Sequence, residues 1–148
     1  MITAIDTNIL LDVLLPNEEF YEASAGELQD SARNGSLVIC DIVYAEICIH
    51  FLTRRDCDAF LEGLGIRVEG LTKESHFHAS RAFRTYRQQG GKRTRILADF
   101  LVGAHAQNQA TRLLSRDRGF YRGLFPSLAL HDPSKALDSD GGGVRGTA

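Results

Sequence analysis

Short runs of strand-forming residues alternate along the chain with longer stretches whose apolar residues recur at helical spacing. The strand-like runs cover residues 2–6, 37–40, 66–69, 111–115 and 127–131. Helical spacing, caps and glycine or proline stops predict helices over 7–15, 18–33, 42–52, 57–64, 72–88, 96–110 and 118–124. Strands that alternate with helices in this way predict an α/β protein, a three-layer α/β/α sandwich around a five-stranded parallel sheet.

Two of the predicted helices are apolar over nearly their whole length. Residues 42–52 carry only Glu46 and His50 as polar exceptions, and their β-branched content would also suit a strand. Their length and the preceding Asp41, a good N-cap, favour a buried helix. In residues 96–110 Asp99 is the only charge, so this stretch also reads as a buried helix, in which we interpret His105 as a packing residue.

The composition is that of a soluble globular domain. The chain has 148 residues, of which 43% are hydrophobic and 24% charged, and no apolar run approaches the roughly 20 residues of a membrane helix. We expect one domain over residues 1–134 and a flexible, glycine-rich tail over 135–148. The three cysteines lack CxxC spacing, which favours buried free thiols in a reducing cytoplasm over a disulfide framework or a zinc site.

Charge divides the chain into two unlike halves. Residues 1–74 hold fourteen acidic and five basic residues, whereas residues 75–148 hold five acidic and twelve basic residues. Such asymmetry is a feature of proteins that bind polyanions, and it is equally compatible with two solvated faces that attract each other.

Four acidic residues fall where the predicted strands end. Asp6 closes the first strand, Glu46 lies one turn into the helix after the second, and Asp117 lies just past the fourth. Asp99 lies near the start of the helix that leads into the fourth strand. In an α/β sandwich these positions share the carboxyl edge of the sheet, where ligands bind, so the acids converge if strands one and four are neighbours.

Each acid also has a structural explanation. Asp6 and Asp117 could serve only as helix caps. Glu46 and Asp99 are costly to bury alone, and a buried salt bridge, for example from Arg95 to Asp99, would satisfy them without any ligand. We leave two further acids out of the candidate site, because Asp12 is expected on the outer face of its helix and Asp41 as a cap.

A divalent cation would reconcile four carboxylates at one place. Without it, their mutual repulsion would raise their pKa values until some were protonated. All-oxygen ligands select hard ions, so we predict one or two Mg²⁺ or Mn²⁺ ions. Small polar residues at the same edge, Thr7, Asn8 and Ser115, could support the acids or metal-bound water, or could serve only in turns.

These residues carry a resemblance to a known family. The segments IDTNILLDVL at 5–14, AEI at 45–47, RILADFLVGAHA at 95–106 and LLSRDRGFY at 113–121 resemble PIN-domain proteins, and within them the VapC-type toxins. The resemblance implies metal-dependent cleavage of structured RNA such as tRNA or rRNA. It also implies that the catalytic and metal-binding acids are Asp6, Glu46, Asp99 and Asp117, with accessory hydroxyl groups from Thr7 and Ser115. It also implies a homodimer and a small VapB-like antitoxin whose C-terminal segment covers the acidic groove.

RNA would need basic residues near such an acidic cleft. No acid occurs between Ser75 and Ala98, while bases are frequent there and around Asp117. As candidate phosphate contacts we name Arg81, Arg84, Arg87, Lys92, Arg93, Arg95, Arg116 and Arg118. The helix arginines among them could equally form a solvated face.

Two other functions compete with the nuclease. A catalytically silent PIN module that binds RNA or protein would be favoured by the loss of an acid, and none is lost. A phosphatase of the haloacid-dehalogenase type would use Asp6 as nucleophile, but that family has a second aspartate two residues later, where this chain has Asn8.

Overall fold

Residues 1–134 are described by the structure, a computed structural model. The strands are β1 (Ile2–Ile5), β2 (Ser36–Cys40), β3 (Ile66–Glu69), β4 (Arg112–Leu114) and β5 (Leu130–His131). The helices are α1 (Thr7–Leu14), α2 (Tyr21–Asn34), α3 (Asp41–Cys48), α4 (Arg54–Gly63), α5 (Lys73–Gln88), α6 (Leu97–Gln109) and α7 (Arg118–Leu124). These elements confirm the predicted α/β/α architecture; the predicted tail over 135–148 lies outside the described residues.

The five strands form one parallel sheet in the order β3-β2-β1-β4-β5. Strand β1 is central, with Ala4 in register with Val38 of β2 on one side and Leu113 of β4 on the other. The order of connection reverses between β1 and β4, and such a switch point opens a crevice at the carboxyl ends of the strands. Asp6 and Ser115 follow β1 and β4 directly, so both lie at this crevice.

An aromatic cluster joins α6 to α5 and α7. Phe100 is fully buried and contacts the rings of Phe83, Tyr86 and Phe120 at centroid distances of 5.2–5.4 Å. Helix α6 packs both on α5 and on β4, and its middle, residues 102–106, is buried between them. This packing fixes the N-terminus of α6, where Asp99 lies.

The predicted helix over 42–52 is too long. Helix α3 ends at Cys48, and beyond it Ile49 is 78% exposed and Leu52 fully exposed. The chain leaves the helix because Thr53 must be extended to cap α4, where its side chain accepts a hydrogen bond from the backbone of Asp56. The expectation of a helix buried to its end was therefore wrong, and His50 is also exposed.

Asp12 was expected on the outer face of α1, and this was wrong. It is 2% exposed and forms an ion pair with Arg116, whose Nη2 lies 2.8 Å from Asp12 Oδ1. Ser24 and Asn17 donate further hydrogen bonds to the same carboxylate at 2.7 and 3.1 Å. A carboxylate is tolerated at this depth because its charge is paired and its oxygens accept several hydrogen bonds.

The cysteines are free thiols, as expected. Cys40 and Cys57 are buried, and Cys48 is half-buried with its Sγ 3.7 Å from that of Cys57. Burial raises the pKa of Cys40 to about 11 and, together with the contact to Cys48, that of Cys57 to about 12. Within residues 1–134, none of the helices has the length and apolar character needed to cross a membrane.

Candidate active site at the carboxyl edge of the sheet

Asp6 lies at the centre of the crevice between β1 and β4. Its Oδ2 accepts hydrogen bonds from Ser115 Oγ at 2.7 Å and Tyr121 Oη at 3.0 Å, with Asn8 Nδ2 at 3.4 Å. Its Oδ1 accepts only the backbone N–H of Thr7, at 2.8 Å, in the described structure. Oδ1 is therefore the oxygen with capacity left for a further partner.

Burial is the main influence on the charge of Asp6. The side chain is almost inaccessible, and this desolvation raises the pKa of the carboxyl group. The hydrogen bonds from Ser115, Tyr121 and Thr7 act against the shift, and the negative charge of Glu46 adds to it. The site therefore favours a proton or a cation at Asp6.

Thr7 connects Asp6 to Glu46. Its backbone N–H binds Asp6, while its hydroxyl donates to Glu46 Oε1 at 2.8 Å. Glu46 lies on α3, which begins directly after β2, whereas Asp6 follows β1. The acids that follow two neighbouring strands therefore both bind Thr7. The N-terminus of α1 thus joins the first two predicted acids.

Ser115 connects Asp6 to Asp117. Its Oγ donates to Asp6 and accepts the backbone N–H of Asp117 at 3.0 Å. The carboxylate of Asp117 is held from the other side by Arg95, with Nη1 to Oδ2 at 2.7 Å and Nη2 to Oδ1 at 3.2 Å. This contact raises the pKa of Arg95, chiefly through the hydrogen bond to Asp117.

Asp99 lies at the N-terminus of α6, where its Oδ2 accepts the backbone N–H of Ile96 at 3.1 Å. The possibility that Arg95 forms a salt bridge to Asp99 is not realised, because Arg95 binds Asp117. Asp99 nevertheless belongs to the same electrostatic neighbourhood. The pKa of the Tyr121 hydroxyl is raised well above its usual value by burial first and then by Asp6, with smaller contributions from Asp99 and Asp117.

The acids do not form a compact cage. Among residues 1–134, no three His, Cys, Asp or Glu side chains are arranged to hold one ion. Like charges repel, and Asp117 is drawn to Arg95. The chemistry of the donors still fits a hard divalent cation, since all four are carboxylates and the buried Asp6 has one under-used oxygen.

Two contributors were missed in the sequence. Tyr121 was not counted as a site residue, although it follows Asp117 by four positions, one turn along α7. Arg95 was named as a candidate RNA contact and as a possible partner of Asp99, while its guanidinium forms an ion pair with Asp117. An arginine in a basic loop, four residues before an aspartate in an otherwise apolar helix, was the available signal, but it pointed to Asp99 rather than to Asp117.

The remaining predicted basic residues differ in their surroundings. The exposed ones are Arg81, Arg84 and Arg87 on α5 and Lys92 and Arg93 in the loop before α6. Arg116 is engaged by Asp12 and lies 3.9 Å from the centre of the Phe20 ring, and Arg118 lies 3.5 Å from Asp132. Of these predicted residues, only the five exposed ones could bind a polyanion without first breaking an ion pair to an acid among residues 1–134.

The comparison with known families identifies the domain that carries this site. The profile of the PIN domain matches residues 3–123, so the chain belongs to the PIN-domain family. That match covers β1, β4 and all four predicted acids. The search of the curated proteins found no match.

Several solved structures share the fold. A chain of VapBC2 from Rickettsia felis, bound to a DNA fragment from its promoter, aligns with a TM-score of 0.69 and 20% identity, covering 89% of this chain and 98% of that one. A chain of VapBC-1 from nontypeable Haemophilus influenzae aligns at 0.68 and 18%, covering 90% and 99%. A toxin–antitoxin complex from Klebsiella pneumoniae aligns at 0.61 and 19%, covering 88% and 97%.

Proposed function

We propose that this PIN-domain protein is a metal-dependent endoribonuclease and the toxin of a toxin–antitoxin pair. The observation that carries the proposal is the linkage of acids across the switch point: Ser115 joins Asp6 to Asp117, and Thr7 joins Asp6 to Glu46. Such a linkage is more than helix capping requires, because it gathers acids from three separate strand ends. The PIN-domain match and the likeness to chains of toxin–antitoxin complexes support the same activity.

Asp6, Glu46, Asp99 and Asp117 are the residues that would hold one or two Mg²⁺ or Mn²⁺ ions. A bound ion of this kind supplies a more acidic water and neutralises charge on a phosphate. The chain itself contributes orientation. Ser115 and Tyr121 both bind Oδ2 of Asp6 and hold the carboxylate in one rotamer, so that Oδ1 is presented.

The proposed substrate is a structured cellular RNA such as tRNA or rRNA. The exposed bases of α5 and of the following loop lie in the part of the chain that leads directly into α6 and Asp99. Contacts from these residues to phosphates would hold RNA beside the carboxylates without reading its sequence. Arg95, Arg116 and Arg118 were also proposed for this role, and each would first have to leave its acidic partner.

We further propose a VapB-like antitoxin and a homodimer, in the cytoplasm. The likeness to chains of VapBC complexes supports an antitoxin partner. The test is co-purification: the product of a neighbouring small open reading frame, co-expressed with this chain, should bind it and suppress RNA cleavage. A small product that neither binds nor inhibits would argue against a toxin.

The activity is tested with the purified full-length chain and total RNA. With Mn²⁺ or Mg²⁺ present it should generate discrete RNA ends, and EDTA should abolish them. Asp6→Asn keeps the shape of the side chain and removes its charge, and should lower the cleavage rate by about a hundredfold or more. Asp30→Asn is the matched control, because Asp30 is exposed and, among the described residues, its side chain pairs only with Arg33.

Circular dichroism and thermal unfolding would establish that both variants are folded. Cleavage that survives EDTA, or that is equally strong in Asp6→Asn, would contradict the proposed mechanism. Sequencing of RNA ends after brief expression of the wild type and Asp6→Asn would identify the target.

A second candidate is a PIN module that binds RNA or protein without cutting. The bidentate contact of Arg95 with Asp117 favours it, since this contact uses both oxygens of one predicted ligand. RNA binding in a gel-shift assay that is unaffected by EDTA, without cleavage at any Mn²⁺ concentration, would decide for this alternative.

A further inference from the structure

Arg95 is the one basic side chain in residues 1–134 that contacts a predicted metal-binding acid. It uses both terminal nitrogens, so each oxygen of Asp117 accepts a hydrogen bond from it. Arginine makes such fork-like contacts with more geometric precision than lysine, because its guanidinium is planar. The two side chains are each about one-third exposed, so water screens the pair only in part.

Two further contacts hold Arg95 in this position. Its guanidinium lies 4.4 Å from the centre of the Phe120 ring, within the range of a cation–π interaction. Phe120 is itself buried against Phe100, so the platform is rigid. The negative charge of Asp99 also acts on Arg95, and its positive charge therefore influences two of the four acids.

From this arrangement we propose that Arg95 is a positioning residue that competes with divalent metal for Asp117 and so lowers the metal affinity of the site. The inference rests on the proposed function, in which Asp117 is a metal ligand. In the metal-free protein, the Arg95 guanidinium neutralises negative charge that a bound metal ion would otherwise neutralise. Metal binding then requires that Asp117 exchange a guanidinium for an ion.

The expected effect follows from charge and geometry. Removing one positive charge at contact distance from Asp117, and near Asp99, should raise the affinity for a divalent ion by about tenfold. Arg95→Lys keeps the charge but loses the fork, so its affinity should lie between those of the wild type and Arg95→Gln. If Arg95 had a purely structural role, the metal affinity would not rise from the wild type through Arg95→Lys to Arg95→Gln.

The experiment is a Mn²⁺ titration of the full-length protein by isothermal calorimetry, together with thermal unfolding over a range of Mn²⁺ concentrations. Arg95→Gln should bind Mn²⁺ about tenfold more tightly than the wild type and gain more thermal stability from it. Arg93→Gln is the matched control. It removes the same charge from the same loop, and Arg93 is exposed and makes no ion pair within residues 1–134.

Two outcomes would overturn the proposal. One is a Mn²⁺ affinity of Arg95→Gln that is no higher than that of Arg93→Gln. The other is the absence of Mn²⁺ binding in both the wild type and Arg95→Gln. Failure of the proposed nuclease is distinguishable, because it would show as absent RNA cleavage while the order of Mn²⁺ affinities could still be measured.

Discussion

The ion pair between Asp12 and Arg116 provides the sharpest stability prediction. Asp12 is 2% exposed, and Arg116 donates to it from Nε at 2.9 Å and from Nη2 at 2.8 Å. The substitution Arg116→Met keeps an unbranched apolar stem that can still pack on Phe20, but removes every charged donor. Within residues 1–134, the Asp12 carboxylate would then stay buried with Ser24 and Asn17 as its side-chain donors.

The size of the effect can be bounded. Removing one partner of a buried ion pair costs about 3–5 kcal/mol, because the other charge is left uncompensated. Arg116 is 26% exposed and Asp12 keeps two neutral donors, so we expect the lower end, about 3 kcal/mol. The measurement is urea unfolding followed by circular dichroism, with free energies extrapolated to zero urea.

Arg33→Met is the matched control, since Arg33 pairs with Asp30 on the surface at 3.5 Å and both side chains are mostly exposed. That variant should lose less than about 1 kcal/mol. The double variant Asp12→Asn with Arg116→Met should be more stable than Arg116→Met alone, because no unpaired charge remains. If Arg116→Met costs no more than Arg33→Met, the reasoning from burial is refuted. A loss of RNA binding without any loss of stability would instead favour Arg116 as an RNA contact.

Two further predictions concern packing and pH. A Cβ at Gly103 would lie 2.5 Å from the buried ring of Phe125, so Gly103→Ala should lower the free energy of unfolding in urea by about 1–3 kcal/mol. Gly26 in α2 has open space around it, so Gly26→Ala should instead raise the free energy of unfolding by about 0.5–1 kcal/mol. Equal effects of the two substitutions would contradict this view of the core. Burial lowers the pKa of His105, although Glu69 lies 2.9 Å from the imidazole. Below the unfolded pKa of about 6.5, the unfolded chain therefore binds a proton that the folded chain does not, and the free energy of unfolding decreases as the pH is lowered. Unfolding at pH 7 and 5.5 should therefore show a smaller pH-dependent loss in His105→Gln than in the wild type, and an unchanged loss would count against the neutral, buried histidine.

The sequence determined the elements whose signals are local. The bounds of β3 are those predicted, and α1 and α5 differ from prediction by one residue at an end, because proline, glycine and caps act within a few positions. Placing the four acids near strand ends needed only the alternation of strands and helices. That Asp6 and Asp117 are linked through Ser115 needed β1 beside β4, and this depends on long-range pairing, which periodicity cannot encode.

Tertiary structure alone decided which side chains meet. Asp12 and Arg116 are 104 positions apart, and Asp6 and Tyr121 are 115 apart, so no helical or strand spacing relates them. Arg95 pairs with Asp117 rather than with Asp99, which is closer to it in sequence. The reason is that the position of α7 brings Asp117 within reach of the guanidinium. Local patterns thus place the acids near strand ends, whereas the packing of α6 and α7 on the sheet decides which charges are paired with one another.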